Sequence, residues 1–140
     1  MLACGNGGSA ADSAHLAAEF TGRFIRDRRP YPAICLSAEM SLVTAVGNDY
    51  GFEEIFARQV KAFGRPGDVL LVFTTSGNSP NVLKALGAAK ERGLKTISFL
   101  GRDGGQARGL ADIELLVPHT VTARIQEAHK VLLHGLCEEV

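Results

Sequence analysis

His15 and Glu19 stand four residues apart in a stretch that patterns as helix, so their side chains fall on one face. An imidazole and a carboxylate at that spacing suit zinc, and they equally suit proton transfer beside a carbonyl. A plain surface contact is the other reading. Two glycine- and hydroxyl-rich segments accompany the pair, Cys4-Gly5-Asn6-Gly7-Gly8-Ser9 and Thr74-Thr75-Ser76-Gly77-Asn78-Ser79-Pro80. Each follows a short apolar run and opens a helical pattern. Glycine lets backbone N–H groups approach a ligand closely, and a helix start favours negative charge. Helix capping explains Ser79, but the consecutive hydroxyls of Thr74, Thr75 and Ser76 exceed what capping needs. The two loops together predict a phosphorylated ligand held between them.

A dinucleotide reading competes at the first loop. Gly5, Gly7 and Ala10 match G-x-G-x-x-A, and Glu39 could imitate the ribose-binding acid. That reading leaves the second loop, His15 and Glu19 without a role, so it ranks low. Near the C-terminus, Gln126, Glu127, His129 and His134 lie among Ile125, Val131, Leu132, Leu133 and Leu136. A histidine among such residues is usually a neutral, hydrogen-bonded core residue, and His134 falls nearly inside the apolar face.

The elements that must position these groups alternate. Strands are predicted at Leu2–Cys4, Ala33–Leu36, Val69–Phe73, Thr96–Leu100 and Ile113–Val117. Helices are predicted at about Ser9–Phe24, Ala38–Val46, Phe52–Phe63, Pro80–Arg92 and Ala123–Glu138. Runs such as Val69-Leu70-Leu71-Val72-Phe73 suit strands buried on both faces. Ser79 suits an N-cap, Pro80 a first helical position and Gly93 a helix stop. The expected fold is α/β: one parallel five-stranded sheet with helices on both faces, a flavodoxin-like or Rossmann-like sandwich over residues 1–140. In such sheets ligands bind beyond the carboxyl ends of the strands, where both glycine loops fall.

Composition narrows the function. The 140 residues carry 15 Lys and Arg against 15 Asp and Glu, which gives no net charge to recruit nucleic acid or a membrane. The Arg26-Asp27-Arg28-Arg29 cluster reads as a solvated loop. Cys4, Cys35 and Cys137 are odd in number and widely spaced, which predicts neither a disulfide framework nor a zinc ribbon. No signal peptide or membrane span is expected, and the cytoplasm is the default compartment.

The stretches CGNGGSAADSAHLAAEFTGR, VGNDYGF, GDVLLVFTTSGNSPNV, DGG and ARIQEAH resemble, in order, the phosphoheptose isomerases of the sugar isomerase (SIS) fold class. The resemblance implies an aldose–ketose isomerase acting on sedoheptulose 7-phosphate. It implies zinc on His15, Glu19, Gln126 and His134, with Glu19 and His134 as the proton-transfer pair. Substrate contacts would fall on Asn6, Gly7, Gly8, Glu19, Asn48, Asp49, Thr74, Thr75, Ser76, Ser79 and Gln126. It further implies a homotetramer, and helices ahead of the first strand that this chain is expected to lack. The alternative is a non-enzymatic SIS protein that binds a phosphosugar or the replication initiator. The initiator-associating relative lacks the catalytic Glu and final His, whereas this chain has Glu19 and His134. Gln126 and His134 are eight residues apart, about 12 Å along a straight helix. Either Gln126 precedes the regular helix, or one zinc takes its ligands from different subunits.

Overall fold

A computed structural model describes residues 1–140. Five strands form the expected sheet: β1 (Leu2–Gly5), β2 (Ile34–Cys35), β3 (Val69–Thr74), β4 (Lys95–Gly101) and β5 (Ile113–Val117). All pair in parallel, in the order β2-β1-β3-β4-β5. The central β3 is the continuous apolar run, and its two-residue period divides the core. Leu70 and Val72 face α2 (Met40–Tyr50), α3 (Ile55–Phe63) and α4 (Pro80–Glu91). Leu71 and Phe73 face α1 (Gly8–Thr21) and α5 (Thr122–Glu139). Strand order reverses between β1 and β3. This is the switch point where the loops after both strands open a crevice.

Several boundaries move for local reasons. Helix α1 stops at Thr21 rather than Phe24 because Gly22 terminates it, donating its N–H to Ala18 O at 2.8 Å. Helix α2 passes the expected end at Val46 and runs to Tyr50, where Gly51 at φ +96° ends it. The expected helix from Phe52 begins as a single 3-10 turn, Phe52–Glu54, before α3. Edge strand β2 shrinks to two residues. Ser79 does occupy the N-cap position of α4, but its side chain makes no capping hydrogen bond.

His129, rather than His134, is the core histidine. It is fully buried, and its Nε2 lies 3.0 Å from Leu100 O. The carbonyl can only accept, so Nε2 carries the proton and ties α5 to the end of β4. Burial holds the His129 pKa below its ordinary value, against weaker upward pulls from the Leu100 carbonyl hydrogen bond and then from Asp12. The unfolded chain therefore takes up this proton first. Stability from this group is complete above about pH 6.5 and is lost as pH falls below it. Thermal melts from pH 8 to pH 5 are expected to show a falling Tm, with a shallower slope in His129→Gln. An unchanged slope in that variant would assign the acid sensitivity elsewhere.

Candidate active site

The two glycine loops meet at the switch point around a cavity of about 290 Å³, lined by Asn6, Gly7, Gly8, Ser9, Thr74, Thr75, Ser76, Ser79, Thr122 and Gln126, with Phe73 as its one apolar wall. Two helices, α1 and α4, begin there, and neither N-cap residue makes a side-chain capping hydrogen bond. Ser9, Ala10, Val82 and Leu83 already donate their N–H groups within the turns, so the Gly8 and Asn81 N–H groups are the ones left to a ligand. The hydroxyls are aimed by the loop itself. Thr74 Oγ1 accepts the Gly77 N–H at 3.1 Å, and Ser76 Oγ accepts the Asn78 N–H at 3.2 Å. With a lone pair on each oxygen engaged, each O–H remains free to donate to an anion. Gly77, at φ +66°, packs so tightly on the next loop that a Cβ there would lie 1.8 Å from Gly104 O. The lining carries no charge, so an anion would be held by neutral donors and helix ends.

A contact that sequence reasoning missed joins the two loops. Asn6 Nδ2 donates to Asn81 Oδ1 at 2.9 Å, and Asn81 Nδ2 donates back to Asn6 Oδ1 at 2.8 Å. Asn81 is buried in the first turn of α4, and its Oδ1 also accepts the Val82 N–H. An Asn directly after Ser79-Pro80 was the available signal, but its partner is 75 residues away.

Helices α1 and α5 run side by side and parallel, and their contacts form rungs. Gly8 lies against Gln126, where a Cβ on Gly8 would meet Gln126 Nε2 at 2.5 Å. One turn on, Lys130 Nζ pairs with the buried Asp12 carboxylate at 2.7 Å. On the next rung His15 Nε2 lies 3.1 Å from His134 Nε2 and 3.2 Å from Glu19 Oε1. Phe24, just past α1, stacks on His134 at 5.6 Å between ring centroids. His134 is therefore half-buried and paired with His15, outside the core.

The sequence-predicted ligand set is thus divided within one chain. His15, Glu19 and His134 come together, whereas Gln126 sits two turns away at the phosphate-type pocket. Gln126 lies inside the continuous α5, which removes the possibility that it precedes the helix. No preformed cage of three or more acidic, His or Cys side chains surrounds a metal-sized space. The donor set nevertheless fits zinc. Two ligands at about 2 Å from a tetrahedral ion lie about 3.3 Å apart, close to the two spacings about His15 Nε2.

Other expected residues fall elsewhere. Asn48 and Asp49 are exposed in the last turn of α2, hydrogen-bonded to each other at 2.9 Å, and do not line the pocket. Glu39 spends its carboxylate capping α2 through the Ser41 N–H, so it is no ribose acid. Arg28 departs from the solvated-loop reading. Its guanidinium donates to Cys137 O and Glu19 O and lies over Phe20 and Tyr31, while Arg26 and Arg29 remain exposed. Burial pushes the Cys4, Cys35 and Cys137 thiols up, so none is poised as a nucleophile.

Comparison with known proteins matches this geometry to a family. The SIS domain profile covers residues 1–101. A phosphoheptose isomerase of Bordetella avium is 54% identical, the match covering all of this chain and 73% of that protein. One from Pelobacter propionicus is 55% identical, again over all of this chain and 74% of the relative. The chain belongs to the phosphoheptose isomerase family. The solved phosphoheptose isomerase of Neisseria gonorrhoeae superposes with a TM-score of 0.92 at 51% identity, covering 98% of this chain and 73% of that one. The Francisella tularensis structure gives 0.94 at 44% identity with the same coverage. In this chain the amide clasp between Asn6 and Asn81 holds the two loops in place. Asn81→Ala is expected to lower unfolding stability by about 1–3 kcal/mol, read from urea midpoints, because it removes the two part-buried hydrogen bonds to Asn6 and the buried one from the Val82 N–H, and leaves the Asn6 amide unpaired. A midpoint equal to wild type would show that the clasp contributes nothing.

Proposed function

We propose that this chain isomerises sedoheptulose 7-phosphate to D-glycero-D-manno-heptose 7-phosphate, a step toward bacterial surface heptose. The 54% and 55% identity with two phosphoheptose isomerases, over all of this chain and 73% and 74% of those proteins, carries this reading. The cavity supports it, with two uncapped helix starts and converging hydroxyls suited to a phosphate. Asn6, Gly7, Gly8, Thr74, Thr75, Ser76 and Ser79 would hold that group. Asn48 and Asp49 remain proposed contacts through the resemblance alone.

Aldose–ketose isomerisation moves a proton between adjacent carbons through an enediol while the carbonyl changes place. Glu19 and His134 are proposed as the proton-transfer pair. Glu19 Oε1 faces His15, which leaves Oε2 to take a proton. Phe24 stacked on His134 and the rung to His15 hold that imidazole in a fixed attitude. His15, Glu19 and His134 would hold zinc, whose chemistry when bound is Lewis-acid stabilisation of developing oxyanion charge. Incubation with sedoheptulose 7-phosphate, with and without zinc, is expected to yield the aldose. Glu19→Gln and His134→Ala should each reduce turnover at least about a hundredfold. Near-normal turnover in a folded variant would remove that residue from the pair.

Gln126 joins this centre only from another protomer, so the active form is proposed to be a homo-oligomer, a homotetramer by family resemblance. The exposed apolar residues Ile25, Val131 and Val140 on the α1–α5 side support such a contact. No helix is long and apolar enough to cross a membrane, and a cytoplasmic location is proposed from the free thiols. Light scattering during stepwise dilution is expected to show that dissociation removes bound zinc and activity together. A monomer that keeps both would sink the shared site.

A further inference from the structure

The phosphate-type pocket holds no lysine or arginine among its lining residues, although its proposed ligand is a dianion. Two cations stand on either side of it. Lys84 lines a cavity that shares Asn6 and Ser79 with the pocket, but it is committed to Glu54 at 2.6 Å and to Glu53. Arg102 lines the cavity on the other side, about 720 Å³, with Asp103, His119 and Ser76. Ser76 lines both that cavity and the pocket. Arg102 is exposed and takes no part in the ion pairs of the chain. Asp103 does not neutralise it through a direct pair. Its Oδ1 accepts the Gly105 N–H at 3.1 Å.

The backbone at Arg102 is the second observation. Its φ is +57°, and every other residue of positive φ in this chain is glycine. Arg102 occupies a tight turn closed by the Gly104 N–H on Gly101 O at 2.9 Å, a place where glycine would carry no strain. A strained side chain at the rim of a site points to function. The turn is also fixed to the phosphate loop. Gln106 N–H donates to Asn78 Oδ1 at 3.0 Å, and Ala107 N–H donates to Gly77 O at 2.9 Å. The backbone that carries Arg102 is therefore tied to the loop that carries Ser76.

We propose that Arg102 supplies the cation for the substrate phosphate, closing over the Thr74–Ser79 loop from the β4 turn. The proposal rests on the phosphate reading of that loop. A guanidinium can offer two parallel N–H donors to phosphate oxygens, and its charge complements the neutral cradle.

The test compares R102Q, R102K and R102G with Ser76→Ala. Calorimetry with inorganic phosphate gives Kd, and sedoheptulose 7-phosphate turnover gives KM and kcat. R102Q is expected to raise Kd and KM about tenfold with kcat near wild type, the scale of one charge-assisted contact. R102K, which keeps the charge, should lose less. R102G should bind as poorly as R102Q yet melt no lower than wild type, since it relieves the turn. Wild-type Kd in R102Q with a raised Kd in Ser76→Ala overturns the Arg102 assignment and leaves the loop standing. Equal losses in R102K and R102Q also overturn it, because charge would then not matter. Wild-type Kd in both R102Q and Ser76→Ala overturns the phosphate reading and this proposal together.

Discussion

All five strands run the same way, and most of the site follows from that constraint. Parallel neighbours require crossovers, so each strand ends at one edge of the sheet and each following helix runs back from it. The loops after β1 and β3 therefore open side by side, although they are far apart in sequence. The same rule makes α1 and α5 parallel to each other on one face. A parallel pair of helices keeps its register along its whole length, which is why Gly8, Asp12 and His15 meet Gln126, Lys130 and His134 in turn. An antiparallel pair could not align the two glycine-edge residues and the two histidines in the same sense.

Within this frame, polar groups divide between holding the site and leaving donors free. Asn6 and Asn81 consume each other's amides, so they brace the loops and offer little to a ligand through those atoms. Thr74 and Ser76 accept loop N–H groups, which leaves their O–H groups free to donate. Ser79 stands at a cap position with its side chain uncommitted. The same residue types thus act as scaffold or donor according to which atom the backbone has already engaged.

What could be read from the sequence were features set by local period or by contiguous motifs. The Val69–Phe73 run announced a central strand because both its faces are buried. His15 and Glu19 announced themselves through four-residue spacing, and the hydroxyl loop by excess over capping needs. Helix ends were less legible: α1 yields to Gly22, while α2 continues through Gly47 because tertiary packing outweighs the propensity of one residue. Long-range partners were not legible at all. Nothing near Asn81 indicates Asn6, nothing near Arg28 indicates Cys137 O and Glu19 O, and the strain at Arg102 exists only once the turn is built. The division of Gln126 from the histidines was foreseeable from helical rise alone.

The contact between Gly8 and Gln126 has a steric consequence. Even one methyl group on residue 8 would intrude on the Gln126 side chain at 2.5 Å. The atoms met are the far end of a flexible side chain, so Gln126 would swing aside and α5 would stay where it is. What a side chain at position 8 would take away is the room that this amide occupies at the cavity wall. The bare α-carbon of residue 8 is thus a reserved space, and the Gln126 amide faces the cavity because nothing else fills it.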